Sequence, residues 1–287
     1  MSLSFAMVTP SFAPDFERCR LLADSVVRYA APSVKHYIVV DRRDEALFGA
    51  LRGPRTEIVC KQDVLPSWLH QVPRTTRWWV DTKRPGVVRG WVVQQLIKLM
   101  VSELCAADAF VFADSDTFLM RSYDPSESVR DGRVPMFREL LPSDDDPHNV
   151  EWHRVAARLF GLTPLARYRT NYVTQLLTWR RDNLLAMRAQ IERTTGREWA
   201  ASICACRTVS EYALYGVFCE QVLKEDRSGH YWDDRIDALL YWKTTPLGES
   251  ALRELRTLLR PEHRAVMISA KSNTPVPLIR RVFELAD

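Results

Sequence analysis

Asp114 and Asp116 stand two positions apart in the stretch Ala109–Met120, which reads A-F-V-F-A-D-S-D-T-F-L-M. An uncharged run ending on two carboxylates reads as a buried strand with an exposed tip. Alternation along such a strand would send both carboxylates to the same side. A carboxylate pair there can grip a divalent cation or act on a phosphate, because open α/β sheets bind ligands beyond the carboxyl ends of their strands. The spacing alone carries little weight in a chain with 20 Asp; the apolar run before it supplies the signal. A second acidic run, Asp144-Asp145-Asp146, is flanked by Pro142-Ser143 and Pro147 and reads as a solvated loop and helix start.

The elements that must position the pair alternate in type. Leu3–Thr9 reads as a strand, Asp15–Tyr29 as a helix with Phe16, Cys19, Leu22, Val26 and Tyr29 inward, and His36–Val40 as a strand ending at Asp41. A short helix over Glu45–Leu51 and a strand over Glu57–Cys60 follow, a pattern that predicts an α/β fold with a parallel, helix-covered sheet. Pro66–Gly90, rich in Arg, Trp and Pro, reads as irregular, and a helix from Trp91 to about Ala106 feeds the aspartate strand. Beyond it come strands at Arg133–Phe137, Val173–Trp179, Leu239–Trp242 and Ala265–Ser269. Helices are expected at Val150–Phe160, Asp182–Thr194, Val209–Leu223 and Val276–Leu285. No Gly-rich phosphate loop is present, so a metal ion is the natural phosphate partner.

The chain has 287 residues, ordinary apolar and charged fractions and a formal charge of +4. It can bury a full core, and disorder is excluded. Of 40 basic residues all but seven are Arg, which suits bidentate phosphate contacts, but the net charge is too small to argue for nucleic acid. No apolar run is long enough for a spanning helix. The N-terminus reads as a first strand rather than a signal peptide. Six scattered Cys, with only Cys204/Cys206 close together, show no zinc spacing and predict buried, reduced thiols in a cytoplasmic protein.

In the helix before the aspartates, Trp91, Gln94, Gln95, Lys98 and Ser102 fall at helical spacing, with Val93, Leu96, Leu99, Met100 and Leu104 on the apolar faces. The run Q-L-I-K-L-M-V-S-E-L-C-A-A-D-A-F-V-F-A-D-S-D-T-F-L-M resembles the region around the D-x-D motif of GT-A-fold glycosyltransferases, notably the glycogenin-like type. F-A-M-V-T-P-S-F and H-Y-I-V-V-D-R-R-D look like the first two strands of that nucleotide-binding half. G-W-V-V-Q-Q-L-I-K-L and S-E-Y-A-L-Y-G are similar to bacterial glycosyltransferase-like proteins of undefined substrate. The resemblance spans most of residues 3–120 and isolated phrases to about 219.

It implies a GT-A-like, mostly parallel sheet flanked by helices, with residues 1–122 binding donor and metal and residues 123–287 shaping the acceptor site. It implies Mn²⁺ or Mg²⁺ as cofactor, held by Asp116 and Asp114. Donor contacts are implied at Thr9, Asp41, Lys98, Asp114 and Ser115. The partners implied are a nucleotide sugar, UDP-linked by preference, and a glycan or lipid-linked acceptor. Bacterial polysaccharide or glycoconjugate synthesis, from the cytoplasm or the inner-membrane surface, is the setting.

Glu211 is the residue expected to act as the acceptor's general base; Thr208-Val209-Ser210-Glu211 equally fits a helix-capping box. The Arg74–Arg89 segment, with Trp78, Trp79, Lys83 and Arg84, reads either as a loop closing over the donor or an acidic acceptor, or as a surface loop with a docked Trp pair. His230 and His263 are the nearest histidines for a third metal ligand, though neither stands in a motif. Lys271 follows a strand and is placed to contact a diphosphate.

Two other readings remain. D-S-D-T-F also fits the D-x-D-x-T motif of haloacid-dehalogenase-like phosphatases, with Asp114 as nucleophile and Asp116 as acid/base. Against it, more than a hundred residues precede the motif, and Asp233-Asp234 does not follow an apolar strand. The remaining reading is a non-catalytic relative that binds a nucleotide or glycan.

Overall fold

In the computed structural model, which describes residues 3–75, 77–83 and 86–285, strand Ala109–Phe112 is wholly buried. Its side chains divide by alternation. Phe110 and Phe112 join a cluster with helix Gly90–Leu99, while Val111 packs with Leu22 and Val26 of helix Phe16–Tyr29. Burying each of these rings contributes about 1.5–3 kcal/mol.

Five strands form the central sheet, in the order Leu177–Arg180, Ala109–Phe112, Phe5–Pro10, Lys35–Val40, Thr56–Cys60. All neighbours are parallel except the first pair, in which Leu177 lies opposite Phe112 and Arg180 opposite Ala109. The chain order reverses between Phe5–Pro10 and Ala109–Phe112. Sheets of this kind open a ligand crevice at such a reversal, beyond the carboxyl ends of the strands. The fold is thus the expected α/β type, a mostly parallel sheet flanked by helices.

A second, three-stranded sheet orders Ala238–Tyr241, Ala265–Ile268 and Thr117–Leu119, the last pair antiparallel. Ala113–Asp116 is therefore the corner by which the chain leaves one sheet and enters the other. The aspartates do not lie on a continuing strand, as alternation had suggested. The strand stops at Phe112, and Thr117 N–H donates to the Asp114 carbonyl at 3.0 Å, closing a turn.

Several expected elements change shape. Pro66–Gly90 is not irregular: Leu69–Gln71, Trp78–Asp81 and Val87–Arg89 form an antiparallel meander. Successive side chains on its middle strand face opposite ways, so Trp79 is buried, with the Lys61 ammonium 4.8 Å from its ring centre, while Trp78 is only partly covered. Arg84 lies outside the described residues. The helix expected over Trp91–Ala106 ends at Leu99, with a short 3-10 turn at Val101–Glu103. The strand expected over Val173–Trp179 begins only at Leu177. The long helix expected over Val209–Leu223 is an α-helix over Glu211–Val217 continued by a π-helical turn, Phe218–Leu223. Strand His230–Asp233, which pairs in parallel with Val134–Phe137, and helices Trp199–Cys204 and Glu249–Thr257 were not anticipated. Asp146 caps helix Pro147–Phe160 by accepting from His148 N–H at 2.9 Å, as the acidic run suggested.

Candidate active site at the sheet corner

Lys98 sits at the centre of the corner. Its side chain is 4% exposed, and Nζ donates to Asp114 Oδ1 at 2.9 Å and to the Tyr212 hydroxyl at 2.7 Å. Nζ also lies 3.0 Å from Glu211 Oε1, a charge contact out of line for a hydrogen bond, since Oε1 has no aligned donor. The ammonium stands 4.5 Å from the Tyr212 ring centre. Burial disfavours a charged lysine, but the two carboxylates outweigh it and hold the ammonium well above its ordinary value.

Asp114 has both oxygens engaged. Oδ1 takes Lys98, and Oδ2 accepts from Gln175 Nε2 at 2.8 Å. The same amide's Oε1 accepts from Asp114 N–H at 2.9 Å and from the Thr117 hydroxyl at 3.1 Å. Burial pushes the Asp114 carboxyl up, yet Lys98 and these hydrogen bonds bring it below its ordinary value. Gln175 is 2% exposed and is followed by Leu176 in the left-handed backbone region at φ 59°. A bulky residue there is strained by about 1–3 kcal/mol, which the surrounding structure must offset. Gln175 was missed in the sequence, where it stood inside an expected strand with no motif around it.

Asp116 differs. Its Oδ2 accepts from Ala270 N–H at 2.7 Å, and burial, then the Asp114 charge, push its carboxyl up to about 6. The Arg18 guanidinium, held by the Ile268 and Thr274 carbonyls, draws the carboxyl partly back down, but among the described residues no cation forms a direct ion pair with Asp116 as Lys98 does with Asp114. Asp15 joins on the same side, its Oδ2 accepting from the Ser115 hydroxyl at 3.1 Å, and burial raises its carboxyl too. Lys271 is exposed in the turn Ala270–Ser272, directly after the Ala270 amide that Asp116 accepts.

The other residues singled out fall as follows. Asp41, at the end of its strand, caps a turn by accepting from Arg43 N–H at 3.2 Å and pairs with Lys61 Nζ at 2.7 Å. Thr9 reaches the end of its strand but is fully buried, its hydroxyl 2.8 Å from His36 Nε2, so the side chain faces the core rather than the crevice. Ser115 is likewise buried against Asp15.

Glu211 is brought to the site in a different posture from the one expected. At 2% exposure it lies against Lys98, enclosed rather than open to the crevice. It does not close a capping box with Thr208 either. Ser210 caps the helix, accepting from Ala213 N–H at 3.3 Å, and Glu211 is the first helical residue. Its geometry makes it a counter-ion that holds Lys98 in place.

Neither histidine comes near the aspartates as a ligand. His230 is enclosed, with Nε2 2.7 Å from the Tyr215 hydroxyl and Nδ1 3.1 Å from the Val134 carbonyl. His263 precedes strand Ala265–Ile268 at the end away from Asp116 and accepts from Arg260 N–H at 3.2 Å.

A divalent cation fits this donor set in a restricted way. Among the described residues no three His, Cys, Asp or Glu side chains converge as a closed metal cage. Asp114 is committed to Lys98 and Gln175, whereas Asp116 Oδ1 has no hydrogen bond among the described residues. A hard cation bound through one or two carboxylates, with phosphate oxygens and water completing its shell, matches that count.

The architecture, a mostly parallel α/β sheet flanked by helices, is shared with a solved protein of glycosyltransferase-like fold. Mouse xyloside xylosyltransferase 1, in its apo form, superposes with a TM-score of 0.50 over 94% of this chain and 99% of that one, at 12% identity. At that identity the likeness is one of fold. The chain belongs to DUF6492, a family of unknown function, whose match spans residues 3–247 and so includes Lys98, Asp114, Asp116, Gln175 and Glu211 but stops short of His263, Ala270 and Lys271. No curated protein matches it. No helix among the described residues is long and apolar enough to cross a membrane.

Proposed function

We propose that this protein is a glycosyltransferase that takes a sugar from a nucleotide-diphosphate donor in the crevice between strands Phe5–Pro10 and Ala109–Phe112. The observation that carries the reading is the asymmetry of the two aspartates. Asp114 is neutralised by Lys98 and locked by Gln175, whereas Asp116 has no direct ion pair among the described residues, feels only the nearby Arg18 charge, and has its carboxyl pushed up to about 6. A largely enclosed carboxylate that Arg18 only partly offsets leaves negative charge for a cation arriving with a diphosphate.

In this reading Asp116 holds Mn²⁺ or Mg²⁺ together with the donor's phosphates. Such a cation, once bound, neutralises charge on the leaving diphosphate. Lys98 fixes Asp114 for the ribose, Asp41 and its partner Lys61 lie toward the base, and Lys271 lies toward the phosphates. Residues 1–122 carry the donor and residues 123–287 the acceptor, a glycan or lipid-linked glycan. A UDP-sugar is the favoured donor, and polysaccharide or glycoconjugate synthesis the favoured setting. With Glu211 buried against Lys98, this reading gives it the part of a counter-ion rather than of the base an inverting transfer would need.

The phosphatase reading fares less well. Asp114, its nucleophile, has both oxygens hydrogen-bonded, and Asp233 is clamped by Arg235 at 2.7 and 3.0 Å.

The test is thermal unfolding with UDP, GDP, CDP and CMP, each with and without Mn²⁺, since a ligand of the native state raises the midpoint. A Mn²⁺-dependent shift for one nucleotide, absent in Asp116→Ala, is expected. No shift with any nucleotide, together with turnover of a phosphate monoester, would reject the reading in favour of the phosphatase.

A further inference from the structure

Two turns of helix N-terminal to Lys98, on the same side, is an open cleft of about 270 Å³ lined by Arg77, Trp78, Arg89, Gly90 and Trp91. It forms because the meander and the helix meet there. Trp78 pairs with Arg89 across the sheet, and Gly90 N–H donates to the Arg77 carbonyl at 2.7 Å as the chain turns into the helix. Trp91 is 41% exposed although it is one of the largest apolar side chains in the protein. The Arg77 guanidinium stands 5.5 Å from the Trp78 ring centre.

The chemistry of this lining is one-sided. Neither Arg77 nor Arg89 has an ion pair among the described residues, and no carboxylate lines the cleft. Two unpaired guanidinia favour a bidentate oxyanion, and two indole faces favour the flat C–H surface of a pyranose or another apolar plate. A ligand that offers both at once is a sugar bearing a carboxylate or phosphate.

Position adds to this. Trp91 and Lys98 are seven residues apart in one helix, which places them about 10 Å apart along its axis and within about 20° of the same azimuth. The cleft is thus offset from the Lys98–Asp114 pair by more than a single sugar ring yet lies along the helix side that carries it.

We infer that the Trp78–Trp91 cleft is an acceptor subsite for an anionic glycan, which Arg77 and Arg89 select by charge and the indoles hold by stacking. The inference rests on the transferase reading for the word acceptor, but the binding itself is independent of it.

The experiment titrates the intrinsic tryptophan fluorescence of the full chain with trigalacturonate, using maltotriose as the neutral control of equal length. Saturable quenching by trigalacturonate alone is expected, weakened by salt. It should weaken by about tenfold or more in Trp91→Ala and in Arg89→Ala, and by less in Arg89→Lys. Equal responses to both trisaccharides, no response to either, or an unchanged titration in Trp91→Ala would overturn the inference. So would displacement of trigalacturonate by UDP, which would make the occupant a nucleotide. The UDP·Mn²⁺ midpoint shift, measured on the same variants, separates the two claims. A retained shift without trigalacturonate binding rejects the subsite alone, and trigalacturonate binding without any nucleotide shift rejects the transferase alone. It also reports whether each variant is folded.

Discussion

Gln175 and Asp114 form a closed two-bond ring, in which the amide accepts from the Asp114 backbone at 2.9 Å and donates to its carboxylate at 2.8 Å. The pairing fixes both where the aspartate's backbone turns and how its side chain points. Lys98 then meets the other carboxylate oxygen at 2.9 Å. Gln175 is a positioning residue, and Gln175→Ala should lose both contacts. Leaving buried groups unpaired costs about 1–3 kcal/mol of stability. Donor turnover, read as UDP released from a UDP-sugar, should fall by about 10–100-fold, as when a ligand's supporting partner is removed. Gln175→Glu, which keeps the shape but faces Asp114 with a like charge, should be at least as impaired. Wild-type turnover in either variant would remove Gln175 from the site.

Glu211→Gln separates a counter-ion from a base. A base contributes about 10²–10⁴-fold to the rate. If Glu211 only balances Lys98, the isosteric amide should leave kcat within about tenfold and the pH profile unmoved, because Asp114 still neutralises the ammonium. Lys98→Met is the harsher change. It strands the buried Glu211 carboxylate and the partly exposed Asp114, and should cost about 3–5 kcal/mol in urea unfolding. A loss of several orders of magnitude in kcat for Glu211→Gln, with a shifted pH profile, would restore the base.

Acid should unfold this protein through two histidines. Burial holds His36 down to about 3 and His230 down to about 4, against an unfolded value of about 6.5. Below that unfolded value the denatured chain takes up protons that the native state refuses. Stability contributed by the neutral rings is therefore complete above about pH 6.5 and is lost as pH falls toward the folded values, at about 1.4 kcal/mol per pH unit for each ring. Over the same range the native state takes up a proton at Asp116, whose carboxyl is pushed up to about 6, and this offsets about one ring's slope. The difference between wild type and a histidine variant is therefore what urea midpoints between about pH 6 and about pH 5 should read. His36→Gln should flatten the slope by one proton. An unchanged slope in that variant would mean that His36 is protonated in the folded protein.

Lys224 adopts φ 63° and ψ 166°, a region that essentially only glycine enters without strain. The side chain is exposed, so Lys224→Gly removes little packing. It should raise stability by about 1 kcal/mol, seen as a higher thermal midpoint. A lower midpoint would show that the lysine makes contacts worth more than its backbone strain.

The aspartate corner was legible because burial leaves a plain mark, an uncharged run stopping at two carboxylates. Lys98 was legible as one charge on an otherwise apolar helix, and Glu211 through its place before an apolar run. Their relations were not. Lys98 and Glu211 come together only when helices Gly90–Leu99 and Glu211–Val217 pack over the sheet, and local spacing cannot report on that. Thr9 shows the opposite failure: it occupies the right end of the right strand, but its hydroxyl satisfies His36, a partner 27 residues away. The meander was hidden because strands of three or four residues leave too few alternations to read.

The antiparallel edge strand Leu177–Arg180 begins two residues after Gln175 and is pinned to Ala109–Phe112 pair by pair. Sliding that pairing by one residue would exchange the strand's two faces, both of them buried, and carry Gln175 away from Asp114. The site's geometry is thus stored as an alignment between two segments rather than in any one side chain. Divergence of this chain should accordingly tolerate many exchanges of residue type near the crevice while forbidding a one-residue insertion or deletion between Gln175 and Arg180.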